Sequence, residues 1–182
     1  MSKVLIPLAQ GFEEIEAITN IDVLRRAGIE VTTISLNSLD VKGDHGIPVI
    51  ADQRIDQINI DEFDAIVLPG GMPGAVNLRD SKKILDFVRK IEDKDGLVGA
   101  ICAAPIVLEA AGILEGKKAT SYPGFSEEMP SCEYLEERVV KDGNIITARG
   151  PGVALGFALE VVEYLNSESV ANKLKEDMIA DS

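Results

Sequence analysis

The stretch Gly96-Leu97-Val98-Gly99-Ala100-Ile101-Cys102-Ala103-Ala104-Pro105, with Ile106 to Leu114 behind it, decides the fold. Leu97 to Ile101 is a short apolar run after a glycine, which predicts a buried strand. Ala103 to Ala111 is alanine-rich and carries Pro105 in its first turn, where a missing N–H costs nothing, so a helix is expected there. Cys102 therefore stands where a strand stops and a helix starts. Its small neighbours Gly99, Ala100, Ala103 and Ala104 let the backbone turn sharply. Free N–H groups at a helix start favour thiolate over thiol, which predicts a pKa below the ordinary value of about 8.5. The junction is the cysteine counterpart of a serine nucleophile elbow. The same residue also fits a buried cysteine that packs as a small hydrophobe.

Outward from this junction, the chain alternates strand and helix patterns. Lys3 to Ala9 is a nearly continuous apolar run suited to a strand buried on both faces, although Pro7 removes one ladder donor. Glu14 to Ala27 carries Ile15, Ile18, Ile21, Val23 and Leu24 at helical spacing and stops at Gly28. Glu30 to Leu36 is the next strand, so the opening reads β-α-β with a right-handed crossover. Val41 and Ile47 to Val49 flank Gly43-Asp44-His45-Gly46 in a short hairpin. A strand ending in Ala65 to Leu68 runs into Pro69-Gly70-Gly71-Met72-Pro73-Gly74, and Ser81 can cap a helix bearing Ile84, Leu85, Val88 and Ile91.

After the Cys102 segment come a strand at Lys118 to Ser121 and a hairpin turning at Asp142-Gly143. Helices over Val153 to Leu165 and Ser167 to Met178 complete the pattern. Such alternation predicts an α/β three-layer sandwich, a mostly parallel sheet with helices on both faces. The 182 residues suit one domain, 1–182, without linker or repeat. Sites in such sheets lie beyond the carboxyl ends of the strands, where Glu13 to Glu16, Gly70-Gly71 and Cys102 all fall.

A formal net charge of −13 argues against nucleic acid or an anionic membrane as the main partner. Two widely separated cysteines exclude a disulfide framework and a structural zinc site, so a cytoplasmic protein is expected. The apolar run at Val4 to Ala9 is too short for a signal peptide, and Leu97 to Leu108 falls short of the roughly 18 residues of a membrane span.

Gly11-Phe12-Glu13-Glu14-Ile15-Glu16 places three carboxylates at a helix start, where acids stabilise the positive end of any helix. Alternatively one of them turns towards Cys102, and burial beside a thiolate raises its pKa until it donates protons near neutrality. Thr19 and Asn20 share a face with Glu16, while Ile15 and Ile18 are expected on the core side beside it. Pro69-Gly70-Gly71 offers unhindered N–H groups to an oxyanion or an oxidised sulfur. His45, the single histidine, reads as a solvated turn residue, and Arg26 and Arg149 fit acid pairing or an interface.

Taken together, Gly11 to Glu16, Leu68-Pro69-Gly70-Gly71, Ala100 to Pro105 and Thr147-Ala148-Arg149-Gly150-Pro151-Gly152 resemble the ThiJ/PfpI superfamily across nearly the whole chain. The closest resemblance is to the branch containing the Parkinson's-disease-associated protein deglycase and its bacterial relatives. That resemblance implies a flavodoxin-like fold, a homodimer, a reactive Cys102 hydrogen-bonded to a protonated Glu16, and a pocket lined by Gly70 and Gly71. It implies neither a metal nor an organic cofactor. Two departures stand out. Ala103 replaces the histidine that directly follows the cysteine in the protease-like branch, which argues against a peptidase. Thr120-Ser121-Tyr122-Pro123 lacks the histidine frequent in the deglycase branch, and no histidine follows Cys102 to serve a glutamine amidotransferase.

The expected activity is that of a cofactor-free, cysteine-dependent glyoxalase or protein deglycase. Cys102 and Glu16 would be catalytic, with Gly70, Gly71 and Ala103 holding substrate or oxyanion. Its partners would be small reactive aldehydes or glycated protein side chains. The alternative is a non-enzymatic redox sensor or chaperone switched by oxidation of Cys102.

Overall fold

The computed structural model describes residues 1–180. The strands are β1 (Lys3–Leu8), β2 (Glu30–Ser35), β3 (Asp40–Lys42), β4 (Pro48–Ile50), β5 (Gln53–Arg54), β6 (Ala65–Leu68), β7 (Leu97–Ile101), β8 (Lys118–Ala119), β9 (Glu133–Tyr134), β10 (Val139–Asp142) and β11 (Ile145–Ala148). The helices are α1 (Glu14–Arg26), α2 (Gly74–Arg79), α3 (Lys82–Glu92), α4 (Pro105–Ala111), α5 (Ala154–Leu165) and α6 (Glu168–Asp177). Seven strands form the main sheet in the order β10-β11-β7-β6-β1-β2-β5. All neighbours in it are parallel except β10 and β11, which form the antiparallel hairpin at one edge.

The residues explain this arrangement. Strands β6 and β7 are buried at every position, as their uninterrupted apolar runs require when helices cover both faces. Alternate residues then feed two cores. Val4, Ile6 and Leu8 pack with α1, α5 and α6, while Leu5, Ile66 and Leu68 pack with α2, α3 and α4. Phe157, fully buried in the first core, contributes about 1.5–3 kcal/mol by leaving water. Pro7 is tolerated in the centre because the β1–β6 ladder ends at Leu5–Ile66, before it. The result is the three-layer α/β sandwich expected from the alternation of elements.

Some local expectations change. Ile15 and Ile18 point outward, 57% and 44% exposed, while Glu16 and Asn20 occupy the inner face of α1. The Asn20 side-chain amide donates to the Glu16 carbonyl at 2.7 Å, holding a polar residue on the face where Ile15 and Ile18 were expected. Helix α2 follows the glycine-rich loop directly, and the two-residue β5 adds a strand at the edge. The last hairpin turns at Gly143-Asn144, one residue later than expected, because Asp142 pairs with Ile145.

Candidate active site

Three chain segments meet beyond the carboxyl ends of β1, β6 and β7. Cys102 directly follows β7 with φ +64, a left-handed conformation that a non-glycine residue adopts only when its surroundings impose it. They do so by clamping its peptide groups. The Cys102 N–H donates to the Ala148 carbonyl, and its own carbonyl accepts from the Tyr122 N–H, each at 2.8 Å. Pro105 then opens α4 in its first turn, and Gly112 closes it in the left-handed region. Cys102 is held at a sharp strand-to-helix turn, 9% exposed, with the N–H groups of Ala103 and Gly71 close enough to favour its thiolate.

Glu16 reaches this turn from the first turn of α1 and is fully buried. Its Oε2 accepts from the Gly70 N–H at 2.8 Å. Its Oε1 has no partner with hydrogen-bond geometry, although the carboxyl and the Cys102 thiol shift one another's titration. Glu13 is the N-cap, its Oε2 accepting the Glu16 N–H at 2.8 Å, while its own N–H donates to the Gly70 carbonyl at 2.9 Å. The helix start and the glycine loop are thus joined backbone to backbone. Gly70 must be glycine, since a Cβ there would lie 2.7 Å from both Cys102 Cβ and Glu16 Oε2.

Burial pushes the Glu16 carboxyl up to about 7, against the lowering influence of the Gly70 N–H and Cys102. The expectation of a depressed Cys102 pKa is corrected. Burial, then the Glu16 charge and its hydrogen bonding, push the thiol up to about 12, outweighing the N–H groups of Ala103 and Gly71. Sequence shows the helix start but neither the depth of burial nor the like charge opposite. Two of the three raising effects act through Glu16, so protonating it relieves the sulfur. Near neutrality the thiol thus keeps its proton while the Glu16 carboxyl titrates.

The other acids have different work. Glu14 is buried, and its Oε1 accepts from the N–H groups of His45 and Ile47 at 2.8 and 3.2 Å. Its Oε2 meets His45 Nδ1 at 3.0 Å. Burial raises the Glu14 pKa, but the His45 ring and the backbone N–H groups outweigh it and hold it low. Hydrogen bonding to Glu14, and then its charge, raise the pKa of His45. His45 is therefore a tether from the β3–β4 turn to α1, with a solvent-exposed ring, rather than merely a solvated turn residue. Glu13, Glu14 and His45 have ligand-type atoms within 4.8 Å of one another, the one such group among the described residues. The hydrogen bonds already made by both Glu14 oxygens and by Glu13 Oε2 account for their convergence.

The structure brings Cys102, Glu16, Gly70, Gly71 and Ala103 together as expected. It leaves His45 beside Glu14 and places Tyr122, 47% exposed, against the Cys102 backbone. Arg26 pairs with Asp22 at 2.7 Å, whereas an Arg149 guanidinium N–H donates to the Glu136 carbonyl at 3.1 Å. Sequence reasoning assigns no role to Thr120 and Thr147, both buried behind the site, with Thr147 Oγ1 accepting the Thr120 N–H at 2.9 Å. The polar interruption of an otherwise apolar β11 is the available signal for Thr147.

Known proteins share this sequence and fold. The chain is 42% identical to Drosophila melanogaster protein dj-1beta over 98% of both sequences. It is 37% identical to deglycase PfpI of Pyrococcus furiosus, covering 90% of this chain and 99% of that protein. The solved structure of Toxoplasma gondii DJ-1 in an oxidised form superposes with a TM-score of 0.94 at 39% identity, covering 98% of each chain. Two Arabidopsis thaliana DJ-1 homologues are longer, and the chain spans 37% and 44% of their lengths. The DJ-1/PfpI family model matches residues 2–164. With Cys102 at a strand-to-helix elbow, a buried acid beside it and that match across most of its length, the chain belongs to the DJ-1/PfpI family.

Proposed function

We propose that the protein is a cofactor-free enzyme of the glyoxalase or deglycase type, acting on small reactive carbonyls or their adducts on protein side chains. The observation that carries this reading is the fully buried Glu16 carboxyl, raised to about 7, beside a cysteine held at φ +64. A group that gives and takes a proton near neutrality is what carbonyl rearrangement needs. Cys102 Sγ bonds to the aldehyde carbon of methylglyoxal, and the carbonyl oxygen takes the proton carried by the pair. Glu16, as carboxylate, removes the hydrogen of that carbon as a proton and returns it to the neighbouring carbon, while the hydroxyl proton passes from the first oxygen to the second, leaving a thioester. Water cleaves the thioester, releasing lactate and restoring the thiol and its proton. The N–H groups of Gly71 and Ala103, which act on the Cys102 thiol, steady the developing oxyanion. Lactate production from methylglyoxal tests the reading. Steady turnover lost in Cys102→Ser and in Glu16→Gln supports it; turnover unchanged in either variant refutes it.

A redox role for the same cysteine draws support from the same N–H groups and from the free Glu16 Oε1. A neutral Glu16 donates a hydrogen bond to one oxygen of a sulfinate, formed when Cys102 is oxidised in two steps by two equivalents of peroxide. Ready sulfinate formation without carbonyl turnover would favour a sensor or chaperone. The proposed assembly is a homodimer through α1, where Ile15 and Ile18 lie exposed. Ile18→Lys then shifts sedimentation at micromolar concentration from dimer to monomer; a wild-type monomer would refute it. Among the described residues no helix is long and apolar enough to cross a membrane.

A further inference from the structure

Arg138 and Arg149 stand apart from the other arginines. Arg25, Arg26, Arg54, Arg79 and Arg89 each meet a carboxylate, at 2.7 to 3.3 Å. Arg138 and Arg149 meet none among the described residues, in a chain of net charge −13 where acids are plentiful. Backbone carbonyls position them instead. Arg138 donates to the Gly152 carbonyl at 3.5 Å and Arg149 to the Glu136 carbonyl at 3.1 Å, so most of their N–H donors stay free. Arg138 and Arg149 both line one open hollow of about 280 Å³ with Tyr122, Pro123, Gly150 and Pro151. The hollow also lies before the N-terminal end of the twelve-residue α5, which carries a partial positive charge.

This hollow adjoins the reactive turn. Tyr122 is hydrogen-bonded through its N–H to the Cys102 carbonyl. Across the hollow its ring lies 3.2 Å from where a Gly150 Cβ would stand, two residues beyond the Ala148 carbonyl that accepts the Cys102 N–H. We propose that Arg138 and Arg149 form an oxyanion-recognition site beside Cys102, holding the carboxylate or phosphate of a small ligand whose other end reaches the sulfur. Paired guanidinium forks suit such planar or tetrahedral oxyanions, binding them bidentately where a neutral ligand gains nothing. The inference rests on Cys102 being the reactive centre and extends it to a substrate class: anionic carbonyl compounds ahead of neutral ones.

Alkylation by iodoacetate and by iodoacetamide, reagents that differ in one negative charge, tests this without any turnover. Site-resolved mass spectrometry gives the ratio of the two rate constants at Cys102 and at Cys132; each thiol faces one carboxylate, Glu16 and Glu109 respectively, so the difference between them reads the arginines. At low ionic strength the iodoacetate-to-iodoacetamide ratio at Cys102 should exceed that at Cys132 by about fivefold or more, and fall about threefold in Arg138→Gln or Arg149→Gln. A ratio at Cys102 no higher than at Cys132, or unmoved in both variants, overturns the proposal. Calorimetric titration with inorganic phosphate is the second arm: binding to the wild type that the double variant loses supports the site, and no binding to the wild type overturns it for phosphate. Should Cys102 resist both alkylating reagents, its role as reactive centre fails and the phosphate titration alone decides the anion site. A reactive Cys102 indifferent to charge does the reverse.

Discussion

Replacing Glu16 by Gln isolates the consequence of burying an acid. The folded carboxyl titrates at about 7 against a reference of 4.5. The folded state therefore binds this proton more tightly than the unfolded chain. Relative stability is fully present below pH 4.5 and is lost as pH rises through about 7. A shift of that size corresponds to about 3 kcal/mol once both states are ionised, most of it appearing between pH 5 and 8. The amide that replaces the carboxyl cannot titrate, so Glu16→Gln should gain about 2–3 kcal/mol on the wild type across that interval, whatever their offset at pH 5. Urea unfolding at fixed protein concentration and a series of pH values measures the difference directly. Staying below pH 8 keeps the Cys102 thiol, pushed up to about 12 in the wild type, out of its titration. A stability difference that stays flat from pH 5 to 8 would refute the argument, because it would mean that burial leaves Glu16 with an ordinary carboxylic acid pKa.

Other perturbations probe the supports of the site. Gly70→Ala forces a methyl group to within 2.7 Å of Cys102 Cβ and Glu16 Oε2, so it should cost about 1–3 kcal/mol in unfolding and slow Cys102 alkylation. Wild-type stability and alkylation rate would show that the loop yields to the extra methyl. Glu14→Gln should return the His45 titration midpoint, followed by NMR of the ring, towards the ordinary value near 6.5, since Glu14 raises it. A midpoint unchanged by the substitution would place the ring elsewhere in solution.

The strand-to-helix elbow at Cys102 was legible because its determinants are local: an apolar run, small residues and a proline in the first turn. The parallel order of the sheet followed from alternation. The exposure of Ile15 and Ile18 was not legible, since periodicity marks them as apolar without saying which face the sheet covers. Glu16 and Asn20 take the inner face, where the loop N–H of Gly70 and the helix carbonyl of Glu16 each satisfy one of their polar atoms, while Glu16 Oε1 and Asn20 Oδ1 stay unpartnered. The thiol pKa failed for a related reason. The helix start is visible in the residues beside Cys102, whereas the opposing charge comes from Glu16, far earlier in the chain. Arg138 escaped notice because whether an arginine finds a carboxylate is a property of the folded surface. Helix α2 and strand β5 are six and two residues long, too short to show a period.

The left-handed backbone at Cys102 has a consequence for how the position can vary. The conformation costs a β-carbon-bearing residue about 1 kcal/mol or more, and only glycine occupies it freely. Stability and chemistry therefore pull in opposite directions at one atom: removing the side chain would relieve the turn and take away the sulfur in the same step. A survey of variants scored by fold alone would rank Cys102→Gly as acceptable or even favourable. The cysteine at this position is accounted for by its sulfur, since stability alone would put a smaller residue there.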